Sequence, residues 1–120
     1  MQDEYTDMTL RNERVRKALM KETADILQKD IRTPAMVSVL DVEIAHDNSF
    51  AKVFYSVFGN EEQKQKTIEI VEKNTPKIRY EIGKRIRLRL TPELRFIYDD
   101  SIERGSKVNE IIEKISRGEL

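Results

Sequence analysis

From Ile68 to Ile86 the apolar residues Ile68, Val71, Thr75, Ile78, Ile82 and Ile86 recur at steps of three or four, straight through Pro76. That spacing marks one helical face. Proline has no amide to bond to the carbonyl of Glu72, so the helix must kink or break briefly at Asn74-Thr75-Pro76. Thr75 is placed as an N-cap and Pro76 as the first residue of a second helix, whose free amides and positive dipole end can receive a phosphate. A purely structural kink that follows the curve of a sheet is the alternative.

The same stretch concentrates the charge. Between Lys73 and Arg95 lie eight basic residues (Lys73, Lys77, Arg79, Lys84, Arg85, Arg87, Arg89, Arg95) against Glu81 and Glu93, a local +6 in a chain whose 22 basic and 22 acidic residues cancel. Everything outside the segment therefore sums to −6. Such polarity fits one face that meets phosphates while the remainder stays soluble, or a solvated helix face with ion-pair partners elsewhere.

The flanking sequence supplies a small α+β fold. Thr9 is a plausible N-cap after a frayed lead-in of residues 1 to 8, and Val15, Ala18, Leu19, Ile26 and Leu27 give an amphipathic helix over about 10 to 31, stopped by Pro34. Glu22 falls in its apolar stripe, where a carboxylate sits at the core margin paired to an arginine. Val37 to Ala45 alternates as a strand, but its apolar parity switches from Val37 and Val39 to Leu40, Val42 and Ile44, which predicts a bulge near Val39. His46-Asp47-Asn48-Ser49 forms the turn, with Asn48 suited to positive φ, and Phe50 to Phe58 returns antiparallel.

In that second strand Ala51, Val53, Tyr55 and Val57 share one face, and Phe50, Lys52, Phe54, Ser56 and Phe58 the other. Aromatics interleaved with a lysine can stack bases. Without the matching RNA-binding consensus, the favoured reading is that these phenylalanines are core or covered by another element. Gly59-Asn60 ends the strand, Glu61-Glu62 opens the kinked helix, and that helix ends between Gly83 and Arg87. Leu94, Phe96 and Tyr98 mark a third strand; Asp100 with Glu103 begins a terminal helix carrying Val108, Ile111, Ile112 and Ile115, and Ser116 to Leu120 form a short tail.

Other chemistries are poorly provided for. The chain has no cysteine and a single His46, which removes disulfides, thiolate nucleophiles and histidine or cysteine metal sites, so neither metal nor cofactor is expected. No apolar run approaches the ~20 residues of a bilayer span, and the acidic N-terminus is unlike a signal peptide, so no membrane partner and a cytoplasmic location are expected. At 120 residues the chain is expected to be one domain, ordered over about 10 to 115, and monomeric.

The order αββααβ plus a terminal helix resembles the type II KH arrangement: a three-stranded sheet covered by helices, with the kink standing in place of a Gly-x-x-Gly loop. Further motifs add to this: Arg14-Val15, Ala51-Lys52-Val53, Ile82-Gly83-Lys84, Arg87-Leu88-Arg89, Pro92-Glu93-Leu94 and Tyr98-Asp99-Asp100-Ser101. Together they resemble the ribosome-binding factor A family over about residues 10 to 115. The resemblance implies a non-enzymatic factor of the small ribosomal subunit that assists late maturation and 5′-end processing of 16S rRNA, supports growth in the cold, and leaves the subunit when it is ready, in some members through a partner GTPase. Family members commonly carry Ala-x-Gly at the kink. With Asn74-Thr75-Pro76 the kink is still expected, but the close RNA approach that glycine permits loses its usual basis.

The RNA-binding set is accordingly Lys77, Arg79, Lys84, Arg85, Arg87 and Arg89, with Arg14 and Lys52 added from the family motifs, reading folded rRNA by backbone and shape. A protein-interaction module independent of RNA is the second reading. A small hydrolase is the third, and no nucleophile-base set or phosphate loop accompanies its carboxylates.

Overall fold

The structure, a computed structural model, describes residues 2–101, with side chains from residue 12 onward. In chain order the elements are α1 (Gln2–Lys29), β1 (Met36–Ile44), β2 (Phe50–Phe58), α2 (Glu61–Lys73), α3 (Thr75–Arg85) and β3 (Glu93–Tyr98). This is the anticipated mixed α+β order. The terminal helix expected beyond Ser101, with Glu103 and its apolar stripe, lies outside the described residues.

Helix α1 corrects the reading of the N-terminus: it starts at Gln2, so Thr9 lies inside a helix and does not cap one. No proline or glycine interrupts residues 2 to 9, and their acidic residues suit the positive end of a helix. At the other end the amides of Asp30 and Ile31 both reach back to the Ile26 carbonyl (2.8 and 3.2 Å), closing α1 two residues before the expected boundary.

The three strands form one sheet in the order β1-β2-β3, antiparallel between β1 and β2 and parallel between β2 and β3. The register shifts between Val39 and Asp41, so Leu40 is the bulge that reconciles the two apolar parities. Asp41 is held there by accepting the Val42 amide at 2.8 Å and a bond from Arg16 of α1 at 2.8 Å. Asn48 turns the hairpin at φ 60°.

All three helices pack on one sheet face. Leu19, Ile26 and Leu27 of α1 and Ile31 just beyond it meet Val42, Ala51, Val53, Tyr55, Val57 and Leu94 of the sheet and Val71, Ile78 and Ile82 of α2 and α3, all buried. Complete burial of one such aliphatic side chain stabilises by about 1.5–3 kcal/mol, so this core fixes where α3 lies. Tyr55 packs edge-on against Phe96 and Tyr98.

The opposite face carries Phe50, Lys52, Phe54, Ser56 and Phe58. Those phenylalanines are not part of the helix-covered core: Phe50 and Phe54 are half-buried, Phe58 is 46% exposed, and the Arg95 guanidinium lies 4.0 Å from the Phe50 ring centre.

The kink is tighter than the sequence implies. Asn60 caps α2 with a reciprocal box, its side chain accepting from the Gln63 amide while Gln63 accepts from the Asn60 amide. Asn74 alone separates α2 from α3. The Thr75 hydroxyl does not cap α3; it donates back to the Val71 carbonyl at 3.0 Å, and Asn74 Nδ2 donates to the Ile70 carbonyl at 2.7 Å. Two carbonyls at the end of α2 are thus satisfied by side chains, which lets the apolar face run on with one residue of interruption.

Candidate nucleic-acid interface

Helix α3 buries Ile78 and Ile82 and turns Lys77, Arg79, Tyr80 and Lys84 outward. Residues 86–92 then cross from the end of α3 to β3. Arg79 fixes this crossing: Nη2 donates to the Thr91 carbonyl at 2.9 Å and Nε to the Pro92 carbonyl at 3.2 Å. Gly83 brings the two even closer, since a Cβ there would stand 2.9 Å from the Thr91 hydroxyl. The strap so anchored exposes Arg87 and Arg89, with Leu88 half-buried between them. Alternation of Ile86, Leu88 and Leu90 with arginines therefore marks an extended connection and no strand of its own; Leu90 is 79% exposed.

Arg85 points the other way, into α1. Its guanidinium donates to Asp25 at 2.7 Å, Asp30 at 3.1 Å and Glu22 at 3.2 Å, and Asp25 also pairs with Lys29 at 3.0 Å. Hydrogen bonding to Asp25 and then Glu22 raises the Arg85 pKa above its ordinary value. Lys29 first and Arg85 second hold the Asp25 carboxyl below the usual carboxylate range. The expected pairing of Glu22 with an arginine is this one.

The eight residues singled out in the sequence separate into four groups. Lys77, Lys84, Arg87 and Arg89 are exposed on α3 and the strap; Lys84 has only a loose contact with Glu81 at 3.7 Å, and the other three have no ion pair among the described residues. Arg79 and Arg85 spend their donors on the strap and on α1. Arg14 is exposed on α1 beside Val15, which lines a cleft of about 480 Å³ together with Arg79, Arg89 and Leu90. Lys52 stands apart: it alternates with buried Ala51 and Val53 and so lies on the sheet face away from the helices.

Tyr80 is the surface residue that sequence reasoning misses. It is 66% exposed on the outer face of α3, and Lys77, Tyr80 and Lys84 follow the i, i+3, i+7 spacing of a single helix face. That spacing is the signal the sequence offers, and the stronger apolar stripe on the same helix hides it.

The chain is similar to known proteins of one family. The family model described as Ribosome-binding factor A matches residues 11–112. Ribosome-binding factor A of Halothermothrix orenii is 41% identical over 111 residues, covering 91% of each chain. The crystal structure of ribosome-binding factor A from Thermus thermophilus aligns with a TM-score of 0.63 at 19% identity, over 72% of this chain and 94% of that one. A homology model of the Thermus thermophilus protein, fitted into a cryo-EM map of a 30S–RbfA complex, aligns with a TM-score of 0.60 at 21% identity, over 69% and 89%. These two structures show a shared fold.

Proposed function

This chain belongs to the ribosome-binding factor A family, and we propose that it is a non-catalytic assembly factor that binds the immature small ribosomal subunit through 16S rRNA. The observation that carries the proposal is the surface of Lys77, Lys84, Arg87 and Arg89, whose positive charge meets no carboxylate among the described residues beyond the loose Lys84–Glu81 contact, while Arg85 next to it is bonded to three. Placing four such groups against phosphates releases counterions and is favourable; Arg79 positions the strap that carries two of them. Arg14 is exposed on α1, whose Val15 reaches the same cleft as Arg89, whereas Lys52 would need a second RNA segment on the far side of the sheet.

Family membership supports the finer reading: a type II KH-like domain acting in late maturation and 5′-end processing of 16S rRNA, in the cytoplasm, as a monomer, without a cofactor, with a role in cold growth and with release assisted by an assembly GTPase. The Thermus thermophilus protein was placed in a 30S complex. Among the described residues no helix is long and apolar enough to cross a membrane.

Co-sedimentation of the protein with immature and mature small subunits over a salt series tests the proposal. Saturable binding that prefers the immature particle and weakens steeply with salt is the expected result. The second reading, an adaptor independent of RNA, is favoured by one observation: Met36 and Phe58, paired across β1 and β2, are 66% and 46% exposed. It requires association that survives RNase and changes little with salt, and that outcome would displace the first.

A further inference from the structure

We propose that Tyr80 is a stacking platform for one unpaired nucleobase, so that the RNA site reads a splayed-out nucleotide in addition to the phosphate backbone. The inference rests on the RNA-binding reading above and deepens it.

Tyr80 is a large aromatic side chain left two-thirds exposed on a helix that buries Ile78 and Ile82, and no packing requirement explains its exposure. The Lys84 ammonium sits 4.5 Å from its ring centre, with Glu81 in loose contact at 3.7 Å from the same ammonium. A cation over an aromatic ring holds the ring in place and covers one of its faces, which leaves the other face for a base. Beside the ring a cleft of about 510 Å³ is bounded by Pro76, Arg79, Tyr80, Gly83, Lys84 and Thr91. Small-molecule sites span roughly 300–1,000 Å³, so a base and part of its sugar can enter.

The cleft floor owes its shape to Gly83, which lacks the Cβ that would press on Thr91. Pro76 adds an apolar ring to the lining. Lys77 and Lys84, one helical turn to either side of Tyr80, stand where the phosphates flanking a stacked nucleotide would pass. Lysine is depleted at protein interfaces, and here Lys84 lines the cleft beside Tyr80 with Lys77 one turn away, which favours RNA over a protein partner.

Binding of isolated immature small subunits by wild type, Tyr80→Phe and Tyr80→Ala, each with its fold checked by circular dichroism, tests the inference when repeated across salt. Loss of one base stack weakens binding on the order of five- to a hundredfold. The expected result is that loss in Tyr80→Ala, binding within about twofold of wild type in Tyr80→Phe, and an unchanged salt slope in both, because no phosphate contact is removed. Ultraviolet irradiation of the wild-type complex should join Tyr80 to a nucleotide. Equal binding by Tyr80→Ala overturns the stacking site and leaves the RNA-binding reading intact. A reduced salt slope in Tyr80→Ala also overturns it, since Tyr80 would then only be ordering Lys84, and so does a crosslink to a ribosomal protein. Failure of the wild type to bind subunits removes the RNA-binding reading itself.

Discussion

Arg85 and Arg87 are two residues apart and opposite in circumstance. Arg85 closes α3 with three carboxylates of α1 and its end around its guanidinium, and its charge is consumed inside the fold. Arg87 follows on an exposed strap with no carboxylate partner among the described residues. Both contribute equally to the +6 of the segment. A charge cluster in sequence therefore marks a region, and only the partners of each cation decide which members can meet an external anion.

The largest effect belongs to the strap. Arg87→Glu/Arg89→Glu is expected to weaken binding to small subunits by on the order of a hundredfold, as two phosphate contacts become repulsions, while the thermal midpoint stays within a degree or two of wild type. Retention of affinity in this variant would place the two regions on the same footing. Next comes Arg79→Met, which keeps the aliphatic stem and deletes both carbonyl bonds to the strap; binding should fall by about tenfold together with a modest loss of stability. Arg85→Gln should do the reverse: a midpoint lower by a few degrees with affinity within about twofold, because exposed ion pairs stabilise weakly even in a network.

The smallest effect is in pH. Asp25 is held below its ordinary value of 3.8, so the unfolded chain takes up its proton first as pH falls. The contribution of the Arg85–Asp25 pair is present above about pH 4 and is lost as pH drops through the folded-state value. Midpoints of wild type and Arg85→Gln should therefore converge as pH falls from about 5 to about 3, whereas a gap that stays constant would mean that the α1 carboxylates are not what Arg85 serves.

Local features of this fold are legible because they depend on neighbours in the chain. The parity switch at Val39 and Leu40 marks the bulge, Asn48 the turn, and Pro76 the break between α2 and α3. The start of α1 is harder to place because residues 2 to 9 have weak apolar periodicity yet nothing that stops a helix. Thr75 misleads for a similar reason: a threonine before a proline has the composition of a cap, but its hydroxyl is nearer the Val71 carbonyl one turn back. The division of the basic residues is out of the sequence's reach, since the partners of Arg85 are 55 to 63 positions away and Arg79 binds backbone carbonyls, which every sequence has.

The salt dependence of subunit binding, measured side by side for wild type, Arg85→Gln and Arg87→Gln/Arg89→Gln, addresses the contrast most directly. Removing one phosphate contact lowers the slope of log K against log salt by about 0.7–0.9. The double variant should therefore show a slope smaller by about 1.4 to 1.8, and Arg85→Gln should keep the wild-type value. A slope that falls in Arg85→Gln, or survives intact in the double variant, would contradict the assignment of paired cations to the fold and unpaired cations to the RNA.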